Sequence, residues 1–332
     1  MKVALIVRKS NGFFFSIENV FKAIYGPLAS KAAISFLELR HIGFSIKGVL
    51  GNFKYLQNKP FDVFHVTGDV HYMVFALPRS KTVLTIHDCV FVRQTSGVKK
   101  LIIKKLFLDW PVRYTKYITT ISEKSKAEII ALTGCKPERI QVIPNPLSPY
   151  IYFSGRSFNA GNPTILFLGS TPNKNLERVL ESLKNIPCNL HIIGKLNSAQ
   201  LETVHASGIK HVVESGLTDP ELADRYANAD MILFPSLYEG FGLPIIEGFK
   251  AGKVVVTSNL SPMKEVAENA ACLVDPNSVD SIRGGVLKVI SDEDYRQQLI
   301  QRGKEVVKQY SAENIASQYF QLYRKVYDKQ AV

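Results

Sequence analysis

Short β-rich apolar runs alternate with segments of helical period along the chain, and no other feature leaves fewer folds open. That alternation is the signature of parallel sheets covered by crossover helices. A first series of strands is expected at Lys2–Lys9, Asp62–Thr67, Thr82–Asp88, Tyr117–Ser122 and Ile140–Pro144. A second is expected at Thr164–Gly169, Leu190–Gly194, Lys210–Glu214, Met231–Pro235, Val254–Thr257 and Cys272–Val274. Between the two lie Pro144–Pro149 and then Ser154–Pro163, rich in Gly, Pro, Ser and Asn, which read as a hinge. At 332 residues the chain is long enough for two cores. The expectation is an α/β protein of two Rossmann-like, doubly wound domains, residues 1–152 and 164–312, joined by a linker at 153–163. A last helix within 313–332 is expected to pack back on the first domain. Ligands of such sheets sit at the carboxyl ends of the strands, so a cleft between the halves is the expected site.

The most informative stretch is Phe234-Pro235-Ser236-Leu237-Tyr238-Glu239-Gly240-Phe241-Gly242-Leu243-Pro244-Ile245-Ile246-Glu247-Gly248, which reads as strand, loop and helix. Pro244 suits a first helical turn, and Gly252 suits the residue just past the helix end. Gly240 and Gly242 admit close approach of a ligand to the backbone, and first-turn amides lie at the positive end of the helix dipole. Glu239 precedes that helix and Glu247 lies about one turn into it, so two carboxylates that accept hydrogen bonds from vicinal hydroxyls flank the amides. Upstream, Leu168-Gly169-Ser170-Thr171-Pro172-Asn173-Lys174-Asn175 is a strand-end loop before a helix, where a lysine meets a diphosphate.

This constellation resembles glycosyltransferase family 4, the retaining, group 1 glycosyltransferases of the GT-B fold, whose hallmark is two glutamates separated by seven residues around a Gly-rich loop. The resemblance implies that Glu239 and the loop residues Gly240, Phe241, Gly242 and Leu243 hold the donor sugar, and that Glu247 holds the ribose hydroxyls. It also implies that Gly169, Ser170 and Lys174 face the diphosphate, and that Gly194, Gly216 and Leu217 border the base. Family members commonly carry an arginine near the lysine; Ser170 and Asn173 stand there instead, leaving Lys174 as the cation of this motif. In the first half, His87 at a strand end matches a family histidine that touches the donor sugar, and Gly12 matches a Gly-rich loop facing the diphosphate. The implied catalytic residues are His87, Lys174 and Glu239. Asp69, His71 and Tyr72 follow another strand and are candidates for the acceptor pocket of the first domain.

The implied activity is retaining transfer of a hexose-type sugar from a nucleotide diphosphate sugar to a glycan or lipid-linked acceptor in surface polysaccharide or lipopolysaccharide assembly, with no cofactor and no metal. A glycan synthase or phosphorylase-like enzyme on a soluble polysaccharide is the alternative. A basic nucleic-acid-binding protein is the rival of another class, disfavoured by the lack of a basic low-complexity tail and of an aromatic RNA-binding signature.

Charge distribution bears on the partner. Met1–Ala160 holds 23 basic and 9 acidic residues, a net of +14, whereas Gly161–Val332 carries −2. An anionic partner is expected for the first half. In Gly97–Trp110, Ile102, Ile103, Leu106, Phe107 and Trp110 share one helical face, with Lys100, Lys104, Lys105, Leu101 and Leu108 on the other. That pattern suits either a core helix or peripheral contact with an anionic membrane. Cys89, Cys135, Cys188 and Cys272 have no zinc or dithiol spacing, and Met1–Lys9 is too short for a signal-peptide core, so a cytoplasmic location is expected. Asp292-Glu293-Asp294 after Ser291 reads as a capped helix start rather than a metal site.

Overall fold

Runs such as Val63–Val66, Thr82–Ile86 and Met231–Phe234 are buried along their whole length, as central strands of parallel sheets covered on both faces must be. The computed structural model describes residues 1–9, 16–42, 45–93 and 95–330. It divides into two compact units, Met1–Pro146 with Ser311–Val332, and Leu147–Tyr310.

The first unit contains β1 (Lys2–Val7), β2 (Ala33–Glu38), β3 (Val63–Val66), β4 (Thr82–Ile86), β5 (Tyr117–Thr120) and β6 (Ile140–Val142). They form one parallel sheet in the order β2-β1-β3-β4-β5-β6. Alternate residues feed two cores. Ala4, Ile6, Phe64, Val66, Leu84 and Ile86 point to one, and Val3, Leu5, Val63 and Val83 to the other. The second core is closed by the helix Ala312–Asp328, whose Ile315, Ala316, Tyr319, Tyr323 and Val326 are fully or almost fully buried. The C-terminal segment is therefore structurally part of the first unit.

In the second unit, β7 (Thr164–Leu168), β8 (Asn189–Ile193), β9 (Lys210–Glu214), β10 (Met231–Phe234), β11 (Val254–Ser258) and β12 (Cys272–Val274) are ordered β12-β11-β10-β7-β8-β9. Counted from β7 this is the 3-2-1-4-5-6 order of the dinucleotide-binding fold, with the direction of winding reversing between β7 and β10. In the first unit the reversal falls between β1 and β3.

Three readings of the sequence are revised. The change of unit falls at Pro146–Leu147, and the expected linker 153–163 instead lies along the second unit: Ser154 N–H donates to Ala251 O, Arg156 Nη1 to Asn228 O and Asn159 N–H to Asp230 Oδ1. In Gly97–Tyr114 a π-helical turn at Lys105–Asp109 interrupts the α-helix. The wider turn rotates the buried side, so Leu108 is fully buried while Ile102 and Trp110 are exposed, against the simple 100° pattern. The start of the helix Glu293–Val306 is capped by Asp292, whose carboxylate accepts from Tyr295 N–H at 2.9 Å; Ser291 ends the helix before it and its hydroxyl donates to Leu287 O.

Candidate functional site

The reversal between β7 and β10 places two strand-end loops side by side, the position at which a doubly wound sheet offers its ligand crevice. β7 turns at once on Gly169, with φ at +105°. A Cβ there would stand 2.6 Å from Lys174 Cγ, so glycine is what lets the lysine fold back over the turn. Asn173 and Asn175 tie this loop to the one after β10. Asn173 O accepts from Leu237 N–H at 2.8 Å, and its Nδ2 donates to Tyr238 O at 2.8 Å. Asn175, left-handed with φ at +69°, donates from Nδ2 to Pro235 O and Pro276 O. The outcome is a short ion pair, Lys174 Nζ to Glu239 Oε1 at 2.7 Å, with both side chains mostly buried and Lys174 Nζ 4.8 Å from the centre of the Phe234 ring. An ammonium has three N–H donors, so this bond leaves others for phosphate oxygens.

The helix after the loop is Leu243–Lys250, with Gly242 as N-cap at φ +113° and no side-chain cap. Pro244 has no N–H, and Ile245 N–H bonds to Gly242 O, so the helix-end donors come down to the amides of Gly242 and Leu243 rather than a full first turn. Phe241 is buried and packs edge-on to Tyr310, so it offers the site its backbone only. Glu247 accepts a hydrogen bond from the fully buried Tyr226 hydroxyl at 2.7 Å on Oε2. Burial raises the Glu247 carboxyl above its ordinary pKa, the Tyr226 hydroxyl opposes that, and nearby Asp219 adds to it.

Gly194 and Gly216 differ in kind. A Cβ on Gly194 would lie 3.0 Å from Gly169 C and 3.2 Å from Ser170 N, so the loops after β7 and β8 touch only because Gly194 is small. Gln200 Nε2 fixes the same loop by donating to Ser170 O at 2.7 Å. Gly216 instead meets open space and is needed for its φ of +74°. Next to Gly216 and Leu217, Arg225 grips Glu214 with two hydrogen bonds and His191 adds another, holding the Glu214 carboxyl down to about 2.

The first unit carries the remaining expected residues. His87 is buried at the end of β4, its Nε2 2.8 Å from Thr67 O; a carbonyl only accepts, so Nε2 bears the proton. Of the residues expected at the acceptor pocket, His71 and Tyr72 have buried side chains. Pro111 has no N–H to give the Phe107 carbonyl four residues back, and His71 Nδ1 donates to that carbonyl at 2.6 Å. Tyr72 packs edge-on to the Phe107 ring. Asp69 alone of the three is exposed, paired with Arg8 at 2.9 Å. Gly12 lies outside the described residues.

Thus the structure brings together Gly169, Ser170, Lys174, Gly194, Glu239, Gly242 and Glu247 in the second unit, and keeps His87 in the first. Sequence reasoning missed Asn173, Asn175, Gln200 and Tyr226 as positioning residues. For Asn175 a signal existed, since asparagine directly before a helix tolerates the left-handed conformation. Among the described residues no group of three His, Cys, Asp or Glu is placed to hold a metal ion.

Two family profiles divide the chain nearly where the units do. The one described as Glycosyltransferase Family 4 matches residues 7–149, and the one described as Glycosyl transferases group 1 matches residues 152–306. The chain belongs to the group 1 glycosyltransferases of family 4. Among the relatives of this family member, O-antigen chain mannosyltransferase B of Escherichia coli is 29% identical over 63% of this chain and 60% of its own length. The MMP alpha-(1->4)-mannosyltransferase of Mycolicibacterium hassiacum is 27% identical over 63% of this chain and 54% of its own. The match therefore spans less than two thirds of either relative. Solved structures give the fold: sucrose-phosphate synthase from Thermosynechococcus elongatus superposes with a TM-score of 0.79 at 17% identity, over 99% of this chain and 100% of that one. Anabaena HepE, in complex with UDP and glucose, superposes at 0.76 and 15% identity over 98% and 100%. Both share the GT-B fold of two Rossmann-like units.

Proposed function

We propose that this glycosyltransferase moves a hexose-type sugar, with retention of anomeric configuration and without a metal ion, from a nucleotide diphosphate sugar to a glycan or lipid-linked acceptor of a surface polysaccharide. The observation that carries the reading is the Lys174–Glu239 pair at the winding reversal of the second sheet, beside the Gly242 helix end and Glu247. As the bond to the β-phosphate breaks, negative charge grows on the leaving diphosphate; the remaining N–H donors of Lys174 and the amides of Gly242 and Leu243 stabilise it. Glu239 holds Lys174 and accepts from sugar hydroxyls; Glu247, oriented by Tyr226 through one oxygen, accepts from the ribose through the other. By analogy with the family, attack comes from the same face and the departing phosphate takes the acceptor's proton. Mannosyl transfer in the names of the relatives makes a mannosyl nucleotide the first donor to try.

The donor site is tested by thermal shift with UDP-, GDP- and ADP-hexoses, where the right donor at 100 times its dissociation constant adds about 2.7 kcal/mol of stability. Glu247→Ala abolishes that shift while Glu247→Gln, which keeps the Tyr226 bond, retains part of it. A full shift in Glu247→Ala refutes the ribose role. No shift with any sugar nucleotide in the native protein refutes the reading itself.

Peripheral contact of a cytoplasmic enzyme with an anionic membrane belongs to the same proposal. Its support is the helix Gly97–Lys104, where exposed Val98, Leu101 and Ile102 stand among Lys99, Lys100 and Lys104. No helix among the described residues is long and apolar enough to cross a bilayer. Each lysine near an anionic leaflet contributes about 1 kcal/mol, so Lys99→Gln/Lys100→Gln is expected to weaken sedimentation with phosphatidylglycerol vesicles by about thirtyfold. No sedimentation of either protein favours the soluble-polysaccharide alternative, and equal sedimentation of variant and native protein refutes the role of this helix.

A further inference from the structure

At the opposite edge of the second sheet, where β10 and β11 begin, lies a cavity of about 210 Å³ lined by Arg156, Lys253, Arg296 and Lys304, with Asp230 as its one acid. Lys253 immediately precedes β11 and only 3% of its surface is exposed, yet its ammonium makes no hydrogen bond or ion pair with any described residue. The ammonium itself is not sealed in the protein: Lys253 lines the cavity, so its N–H donors are left to what the cavity holds. Burial pulls the Lys253 amine down to about 8, the attraction of Asp230 notwithstanding.

One carboxylate does not balance four cations. The Asp230 oxygens accept from the backbone N–H groups of Asn159 and Thr164 at 3.1 and 2.7 Å, which holds the carboxylate beside the entering chain and not in an ion pair with any of the four. Arg296 is likewise 5% exposed, and its Nη1 serves the carbonyls of Val289 and Ile290 while its buried Nε has no partner. Its guanidinium lies 4.3 Å from the centre of the Phe158 ring, and Lys304 lies 5.1 Å from that of Phe153, so two aromatic side chains of one segment back the cations. Four cations thus face one occupied carboxylate, and none of the four has an ion pair among the described residues.

We propose that this cavity is a second anion site, taking a small phosphate-bearing ligand at the amino edge of the sheet, apart from the donor loops at its carboxyl edge. Cationic clusters with spare N–H donors match phosphate oxygens through charge-assisted hydrogen bonds. Size limits the ligand. The volume falls short of the roughly 300–1,000 Å³ of sites that enclose drug-sized molecules, which selects inorganic phosphate, pyrophosphate or a short-chain phosphomonoester over a nucleotide. A ligand here would tie Phe153–Phe158 to the strand starts through Arg156 and Lys253.

The test is calorimetric titration of the full chain with inorganic phosphate, pyrophosphate and glycerol 3-phosphate, whose relative affinities tell free phosphate from an ester. Arg156→Ala/Lys304→Ala removes two exposed side chains and leaves the buried shell intact. Lys174→Ala serves as the control at the donor loops. The double variant is expected to raise the dissociation constant of the tightest probe at least about tenfold, with Lys174→Ala leaving it unchanged. No binding by the native protein, equal binding by the double variant, or loss in Lys174→Ala overturns the proposal.

Discussion

Replacing Lys174 by alanine is expected to lower kcat by about 10²- to 10³-fold with a small change in KM, the loss typical when one preorganised donor to a developing negative charge is removed. The lysine is well placed for that size of effect. It is held at 2.7 Å by Glu239, backed by the Phe234 ring, and set by Gly169, where any side chain would collide with it. No arginine accompanies it in the loop, since Ser170 and Asn173 stand at the positions the family often gives to one. A rival role, in which Lys174 only orients Glu239, makes a different prediction. Glu239→Gln and Lys174→Ala would then be strongly non-additive in kcat/KM, and the double variant would be no worse than either single one. In the proposed mechanism each residue also acts on its own, so the double variant is slower than both. The anomeric configuration of the product, read by NMR in the same assays, decides retention; an inverted product would falsify the same-face step.

How far the sequence speaks depends on the range of the interaction involved. Glycines, Pro244 and the two glutamates carry their meaning within one strand-loop-helix unit, and the Lys174 loop does so within another, so both were legible from spacing. The bond that joins them is not local. Asn173 meets Tyr238 only once β7 and β10 lie together at the winding reversal, and Tyr226 meets Glu247 only once the helices on either side of β10 pack together. Tyr226, flanked by Ala223 and Ala227 on a helix, reads as ordinary core and in fact is core, with its hydroxyl turned to function. β2 escaped for another reason. As an edge strand it buries only Ile34, so Ala33–Glu38 offers no continuous apolar run. In Gly97–Tyr114 the 100° rule failed because one π-helical turn resets the phase, and Pro111 with its missing N–H was the trace of that turn in the sequence. The bond from His71 to the Phe107 carbonyl was hidden by the same gap, since nothing local in the sequence pairs the two.

Stability of the first unit is expected to fall as pH drops from 7 towards 5, and the cause is a histidine outside the proposed chemistry. His65 on β3 is fully buried, with Nδ1 2.7 Å from the Tyr323 hydroxyl and Nε2 2.6 Å from Thr85 Oγ1, itself 2.6 Å from Thr119 Oγ1. Rings of Phe21 and Tyr319 close around it at 5.1 and 5.4 Å. Burial first, and His87 second, push its pKa from 6.5 to about 3. The unfolded chain therefore takes up a proton near pH 6.5 that the folded unit refuses until about pH 3, so the full contribution is present above pH 6.5 and is lost as pH falls through that window. Each pH unit within it costs about 1.4 kcal/mol, and His71, whose pKa burial also lowers, acts in the same direction. Urea unfolding followed through the first unit reads this slope, and His65→Asn is expected to flatten it. An unchanged slope would place the proton uptake elsewhere; Glu214 is not a substitute, since it belongs to the second unit and takes up its proton in the unfolded chain only near pH 4.5. Tyr323→Ala removes both a buried ring and the partner of His65, and is expected to cost about 3–5 kcal/mol at any pH. Because Tyr323 sits on the helix Ala312–Asp328, that loss would measure how much of the first unit's stability enters only with the last segment of the chain.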